Sequence, residues 1–202
     1  MVDKPVAQAT LTITARGLFM AVINGKRIGD AFMTPDWTDY SKRLQYDTYD
    51  VTALLEAGEN ALGVILGEGW HSGYMGFRTK RSCYGQRPSL LARLSLDYAD
   101  GTSALLVTDT RWKGTTGPIL YSDMLMGEGY DARLELTGWD RPGYDDSEWA
   151  QTTAEVAPQP HLEARPTAPV RVVEELPAIP VGQIDPHKTI HDLSQNVAGC
   201  VR

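Results

Sequence analysis

The chain has 202 residues, of which 42% are hydrophobic, and it carries a formal net charge of −7. This length and composition are typical of a globular protein with one medium domain and part of another. The acidic balance argues against a nucleic-acid partner, because few cations are available to neutralise a run of phosphates. We expect no membrane partner either, since no stretch reaches the roughly 18 apolar residues that a spanning helix needs.

The start of the chain and the cysteines give two further expectations. Residues 1–9 contain no apolar segment like that of a signal peptide. Because no signal peptide is visible, we favour a cytoplasmic location without assigning one. Cys83 and Cys200 lie far apart, and two cysteines do not make a disulfide framework, so we expect both to be free thiols.

Alternation of apolar residues predicts β-strands from the beginning of the chain. Residues 10–15 place Leu11, Ile13 and Ala15 on one face and three threonines on the other, which is the period of a half-buried strand. The apolar run 18–23 leads into Asn24-Gly25, a pair that adopts the positive φ angles of a tight hairpin turn. Residues 26–28 are the predicted returning strand.

The following segments continue this pattern. Residues 50–58 predict one short helix near 51–57, with Asp50 or Thr52 as its cap and Gly58 at its end. Asp100-Gly101 predicts a second hairpin turn. Further inward-facing residues are Leu62, Val64, Leu66, Ala92, Leu94, Leu96 and Tyr98. Many short strands with turn signals and little helix favour an all-β fold, an antiparallel β-sandwich with one short helix.

The composition changes towards the end of the chain. Seven of the 12 prolines lie between Pro158 and Pro186, and proline cannot donate to a sheet ladder. This stretch therefore reads as a linker or an extended edge crossing a surface. The predicted organisation is an N-terminal arm (1–8), a β-sandwich (9–156), a proline-rich linker (157–168) and the truncated start of a second β-domain (169–202).

A series of motifs in fixed order connects the sequence to a family. They are NGKRIGD at 24–30, PDWTDYSKR at 35–43, YDVT at 49–52, GEGW at 67–70, SD with GEGYDAR at 122–133, and GW at 138–139. Together they resemble the N-terminal domain of bacterial α-L-rhamnosidases of the glycoside hydrolase family 78 type. Residues 169–176 and 191–202 are similar to the start of the β-domain that follows it.

The resemblance implies a jelly-roll β-sandwich similar to galactose-binding-like folds. In that family, hydrolysis belongs to a downstream (α/α)6 barrel. We therefore expect a non-catalytic accessory domain of an enzyme that acts on terminal rhamnose of glycans or glycosides, with the barrel as its partner and no hydrolysis by this chain alone. The alternative is a carbohydrate-binding module that recognises rhamnose-like sugars.

Paired carboxylates are the usual machinery of glycoside hydrolysis. Four acidic residues near glycines and aromatics are candidates: Glu68, Asp123, Glu128 and Asp131. The alternative is that Asp123 and Asp131 order loops and that Glu68 lies at a rim. We adopt this alternative and predict no catalytic residue in the chain.

Sugar sites combine an aromatic face with a few polar groups, and two loops have that composition. One carries Trp70, Tyr74 and Arg78, together with His71. The other carries Trp37 and Asp39, together with Tyr40. The alternative is that the two tryptophans close the ends of the sandwich or pack against the barrel.

No pattern of metal ligands emerges from the sequence. The four histidines are scattered, without the paired spacing of a zinc site. Asp36 with Asp39, or Asp145 with Asp146, could offer oxygen ligands to calcium. The resemblance implies that related rhamnose-binding modules use calcium beside an Asp-Asn pair, which this sequence does not contain. We expect no metal and no cofactor, with calcium as the alternative.

Overall fold

The computed structural model describes residues 1–76, 80–154, 160–197 and 199. Most of its regular structure is short β-strand. The strands are β1 Val6–Arg16, β2 Leu18–Ile23, β3 Lys26–Arg27, β4 Arg43–Asp50, β5 Leu62–Gly67, β6 Tyr74–Met75, β7 Lys80–Arg81, β8 Ser89–Tyr98, β9 Ser103–Val107, β10 Lys113–Gly114, β11 Ile119–Asp123, β12 Gly127–Tyr130, β13 Ala150–Gln151, β14 His161–Ala164, β15 Ile179–Asp185 and β16 Lys188–Asp192. The helical elements are α1 Gly69–Ser72 and the 3-10 turns Thr52–Leu54 and Ala132–Leu134.

Two sheets enclose the core. The larger has the strand order β14-β4-β1-β8-β9, and the smaller has the order β3-β2-β5. Side chains from both sheets pack into one buried cluster; its members include Leu11, Ile13 and Ala15 from β1, Phe19, Ala21 and Ile23 from β2, and Ala92, Leu94 and Leu96 from β8. The predicted antiparallel β-sandwich is confirmed. The predicted inward faces of β1 and, up to Leu96, of β8 are buried, whereas Leu62, Val64, Leu66 and Tyr98 are half-buried and pack against this cluster.

Both predicted hairpin turns are present. Asn24 and Gly25 have φ angles of 50° and 74° and join β2 to β3. Gly101, at φ 82°, lies in the turn between β8 and β9. One residue of the predicted polar face differs, since Thr14 is buried. Its hydroxyl donates to the carbonyl of Gln45 on β4, which satisfies the polar group inside the protein.

The predicted short helix is present as a 3-10 turn, Thr52–Leu54, and is shorter than the predicted 51–57. Its N-cap residue is Val51, without a side-chain cap bond, and not the predicted Asp50 or Thr52; the Asp50 carboxylate accepts from the backbone N–H and the hydroxyl of Thr52 just before the turn. Asn60 ends the helix early, because its side chain accepts from the N–H of Glu56 and donates to the Glu56 carbonyl. Those backbone groups would otherwise continue the helical ladder.

Part of the proline-rich segment forms a strand. His161–Ala164 pairs in parallel with β4 at the edge of the larger sheet. Directly after it, Arg165 donates from Nε to Asp47 Oδ1 at 2.8 Å, and its Nη2 lies 2.7 Å from the same oxygen. The Asp47 side chain is buried, at 8% exposure, and the Arg165 side chain is nearly so, at 11%. The segment 157–168 is therefore an edge of the sandwich at these residues, which was the second of the two readings made from its prolines.

Residues 171–202 form a second compact unit, separate from Met1–Val170. It contains the antiparallel hairpin of β15 and β16. Several apolar side chains of this hairpin are exposed: Ile179, Val181, Ile184 and Ile190. An isolated two-stranded hairpin is marginal in water. The predicted domain boundaries remain predictions.

Candidate functional site

The loop that carries Trp70 is fixed by its glycines. Gly69 has φ +50°, and a Cβ there would lie 2.7 Å from Leu18 Cγ. Only glycine fits a positive φ at such close packing. The one-turn helix α1 then turns the chain from β5 towards β6, with Trp70 half-buried on its surface.

The two candidate loops meet at their tryptophans. The rings of Trp37 and Trp70 lie with centroids 6.3 Å apart and planes inclined by 15°. This offset arrangement is favourable for aromatic pairs. Trp37 is the more accessible ring, at 51% exposure. The structure thus brings together the two loops that the sequence offered as separate candidates.

Tyr40 and His71, which lie close in sequence to the two tryptophans, are buried, and Tyr40 also contacts the exposed Tyr84. Tyr40 is 4% exposed and makes edge contacts with His71 and Tyr84, at centroid distances of 5.3 Å and 5.2 Å. Burial first, and then the charge of Asp36 and the neighbouring Tyr84, raises the pKa of the Tyr40 phenol. Tyr40 and His71 therefore pack the interior and are not presented to a ligand.

The remaining candidate residues have other partners. Asp39 accepts from the backbone and hydroxyl of Ser41 and pairs with Lys42 at 3.2 Å. The Ser41 hydroxyl is the main reason that the pKa of Asp39 is lowered. Tyr74 donates its backbone N–H to Asp123 Oδ2 at 2.7 Å. Arg78 lies outside the described residues.

One cation beside Tyr74 was missed by the sequence reasoning. Arg81 lies opposite Tyr74 in the β6–β7 ladder, with its guanidinium 5.7 Å from the Tyr74 ring centroid. It also pairs with Glu68. The glycines on either side of β6 were a hairpin signal that could have placed Arg81 next to Tyr74.

Three of the four candidate carboxylates, Glu68, Asp123 and Asp131, serve structural contacts. Glu68 holds Arg81, and Asp131 pairs with Arg133 of its own turn. An acid that protonates a glycosidic oxygen at neutral pH needs a raised pKa. Hydrogen bonds from Arg133 hold the pKa of Asp131 below its usual value instead. Burial alone would raise the pKa of Asp123, but backbone N–H groups outweigh it and hold that pKa low as well.

The hairpin of β11 and β12 is rich in exposed apolar residues. We call residues 119–130 the apolar hairpin. Leu120, Leu125 and Met126 are between 57% and 60% exposed, and Tyr121, Met124 and Tyr130 are also exposed. Single exposed apolar residues are common on protein surfaces, whereas several on one short hairpin make it a candidate contact surface.

Among the described residues, no group of three or more His, Cys, Asp or Glu side chains is arranged to hold a metal ion. Within the same part of the chain, no helix is both long and apolar enough to cross a membrane. The described cysteine, Cys83, is an exposed free thiol, whereas Cys200 lies outside the described residues.

The fold and the paired aromatic loops define a β-sandwich domain, and comparison with known proteins gives its family. The family described as the α-L-rhamnosidase N-terminal domain matches residues 4–174. The chain belongs to this family, which confirms the resemblance seen in its motifs.

Its relatives are much longer proteins. The chain is 44% identical to an α-L-rhamnosidase of Streptomyces avermitilis, covering 98% of this chain and 19% of that protein. It is 39% identical to an α-L-rhamnosidase of an Alteromonas species, covering 98% and 22%. The chain spans about a fifth of the length of these relatives.

Solved structures give the same result. The S. avermitilis α-L-rhamnosidase in complex with L-rhamnose matches with a TM-score of 0.92 at 43% identity, over 97% of this chain and 19% of that one. The Aspergillus terreus α-L-rhamnosidase matches with a TM-score of 0.91 at 42% identity, over 97% and 23%.

Proposed function

We propose that the chain is a non-catalytic accessory domain of an α-L-rhamnosidase-type glycoside hydrolase that acts on terminal rhamnose of glycans or glycosides. Its role is to pack against the remainder of the enzyme. The observation that carries this proposal is the apolar hairpin, with three large side chains at least 57% exposed on one β-turn and its strands. The length of the relatives supports it, because about four-fifths of those proteins lies outside the region this chain matches.

The chemistry of the candidate carboxylates agrees with an accessory role. Asp123 and Asp131, with lowered pKa values, stay ionised at neutral pH and cannot donate a proton to a leaving group. Glu68 is engaged with Arg81. The resemblance assigns hydrolysis to a downstream (α/α)6 barrel, which is the partner we propose for the hairpin.

A chimeric enzyme tests the packing role. In it, this chain replaces the matching region of the S. avermitilis α-L-rhamnosidase. Changing Leu125 and Met126 to serine should lower the melting temperature of the chimera, because both side chains lose a covered apolar contact. The same changes should leave the isolated chain nearly unaffected, since both residues are exposed there.

Leu105→Ser is the matched control, because Leu105 is 58% exposed but lies on β9. If Leu105→Ser lowers the melting temperature of the chimera by the same amount, the contact is not specific to the apolar hairpin. If the changes at Leu125 and Met126 do not lower the melting temperature of the chimera, the packing role itself is refuted.

A second function, binding of rhamnose-like sugars, is favoured by one observation. Trp37 is half exposed beside Trp70, and an exposed indole face is the platform on which a sugar ring stacks. The expected affinity is weak, on the order of millimolar to tens of micromolar, because a single sugar ring has few atoms to bury.

Titration of the chain with L-rhamnose, followed by NMR or calorimetry, tests this second function. If sugar binds, Trp70→Ala and Trp37→Ala should each abolish the signal and leave the fold intact. Binding that survives both changes would place the site elsewhere. No response at saturating rhamnose would leave packing as the role of both loops.

A further inference from the structure

One carboxylate contacts both the apolar hairpin and the aromatic loop. Asp123, at the end of β11, accepts at Oδ1 from the N–H groups of Leu125 at 2.8 Å and Met126 at 3.0 Å. These two bonds close the turn of the hairpin. Its other oxygen, Oδ2, accepts from the N–H of Tyr74 at 2.7 Å, across 49 residues of sequence. Each oxygen therefore has a different segment as its partner.

The approach of the two segments depends on a glycine. A Cβ at Gly73 would lie 2.6 Å from Asp123 Oδ2 and 2.4 Å from the carbonyl of Gly69. The N–H of Gly73 bonds to that same carbonyl at 3.1 Å and ends α1. Gly73 thus has no side chain at the point where the carboxylate approaches the backbone. Its hydrogen bond also fixes it to the turn that carries Trp70.

The charge on Asp123 is maintained by its surroundings. Burial alone would raise its pKa, but the N–H groups of Tyr74, Leu125 and Met126 and the nearby Arg81 together hold the pKa below its usual value. Arg81 is itself paired with Glu68 and lies over the Tyr74 ring. Hydrogen bonds to a charged acceptor are stronger than those to a neutral one, so this link is strongest in the ionised state.

We propose that Asp123 is a positioning residue that ties the apolar hairpin and the loop carrying Trp70 and Tyr74 into one unit. When the apolar hairpin docks on its partner, this link also sets the position of the aromatic loop relative to that partner. This last consequence rests on the proposed function, whereas the link between the two segments does not.

The variant Asp123→Asn distinguishes the contribution of Oδ2 from that of Oδ1. An amide has a single acceptor oxygen. Turned towards the N–H groups of Leu125 and Met126, it keeps two bonds of the hairpin turn. Its NH2 group then faces the N–H of Tyr74, donor against donor, and the link to the loop is lost.

The measurement is NMR on the whole 202-residue chain. In the wild type, the amide resonances of Tyr74, Leu125 and Met126 should titrate with one common midpoint below 3.8, the ordinary pKa of an aspartate here. In Asp123→Asn this transition should vanish from all three. Near neutral pH, amide exchange at Tyr74 should accelerate at least about tenfold, as expected for one lost charge-assisted bond, while Leu125 and Met126 change little.

Two further variants complete the experiment. Asp123→Ala should accelerate exchange at all three amides. Asp145→Asn is the matched control, since that carboxylate accepts from the N–H of Ser147 in another turn, and it should leave Tyr74 unchanged. Unchanged exchange at Tyr74 in Asp123→Asn, or a Tyr74 resonance that still titrates there, overturns the proposal. If amide exchange changes as expected but the hairpin variants do not lower the melting temperature of the chimera, the docking role is refuted and the link made by Asp123 is still supported.

Discussion

Removing Arg165 should destabilise the sandwich strongly, because it leaves a buried carboxylate without its cation. Arg165 reaches Asp47 with two nitrogens at 2.7 Å and 2.8 Å, and neither side chain is more than 11% exposed. The proposed variant is Arg165→Met, which keeps an unbranched apolar side chain. Breaking one partner of a buried ion pair costs about 3–5 kcal/mol. For a chain of this length each kcal/mol lowers the melting temperature by roughly 2–4 °C, so we expect a fall of roughly 6–20 °C.

The pH dependence gives this prediction a signature. Burial raises the pKa of Asp47 above its ordinary value of 3.8, and Arg165 acts against this rise. A carboxyl with a raised folded pKa contributes its full stability below the unfolded pKa and loses it as the pH rises through the folded one. Without Arg165 the folded pKa rises further. The loss caused by Arg165→Met should therefore grow between about pH 4 and about pH 7.

Calorimetry or urea unfolding at both pH values is the assay. Adding Asp47→Asn to Arg165→Met should recover a large part of the loss, because no charge remains buried. The control is Lys4→Met, which breaks the Lys4–Asp100 pair at 2.7 Å with both side chains 48% exposed. Exposed pairs are worth about 0–1 kcal/mol. A loss from Arg165→Met no larger than that of the control, or one that is equal at both pH values, would refute the reasoning.

Two further predictions concern the aromatic loop and the end of the chain. Gly69→Ala should cost about 1–3 kcal/mol, more than Gly76→Ala, because both have positive φ but only at Gly69 would a Cβ meet Leu18; equal losses in urea unfolding would contradict this. Limited trypsin digestion should cut first beyond Val170, at sites such as the exposed Lys188 in the β15–β16 hairpin. A first cut within Met1–Val170 would contradict this, because it would mean that the second unit resists trypsin better than the first.

The sandwich was accessible from the sequence because its signals are local. Leu11 and Ile13 alternate with threonines in the sequence and are buried in the structure. Asn24-Gly25 determines its own turn through the backbone angles it favours. These features depend on residues that are close together in the chain, so they can be recognised in a single sequence.

Features that depend on distant residues could not be read in the same way. The parallel pairing of β14 with β4 and the contact of Arg165 with Asp47 join positions 118 residues apart. A parallel edge strand next to prolines has no periodic signature of its own. The length of the helix near Val51 was overestimated for a different and local reason: the Asn60 side chain, four residues away, takes the backbone groups of Glu56.

The candidate site shows the same division. Composition was enough to select the loops of Trp37 and Trp70, but their stacking follows from how the two loops fold against each other. The partners of Tyr74 were not predicted at all: Arg81 comes from the facing strand, and Asp123 comes from a hairpin 49 residues away. Asp123 was expected to order a loop, and it orders its own turn and the loop of Tyr74.

We propose that this chain is an accessory domain, and such a domain does not hydrolyse rhamnosides by itself. The most direct measurement is the release of a chromogenic leaving group from an α-L-rhamnoside by the purified 202-residue chain. We expect a rate equal to that of buffer alone, because the resemblance places hydrolysis in the downstream (α/α)6 barrel. Asp123 and Asp131, with lowered pKa values, stay ionised at neutral pH and cannot act as the acid. Turnover that survives repurification and is lost when Glu68, Asp123, Glu128 or Asp131 is changed to its amide would contradict it.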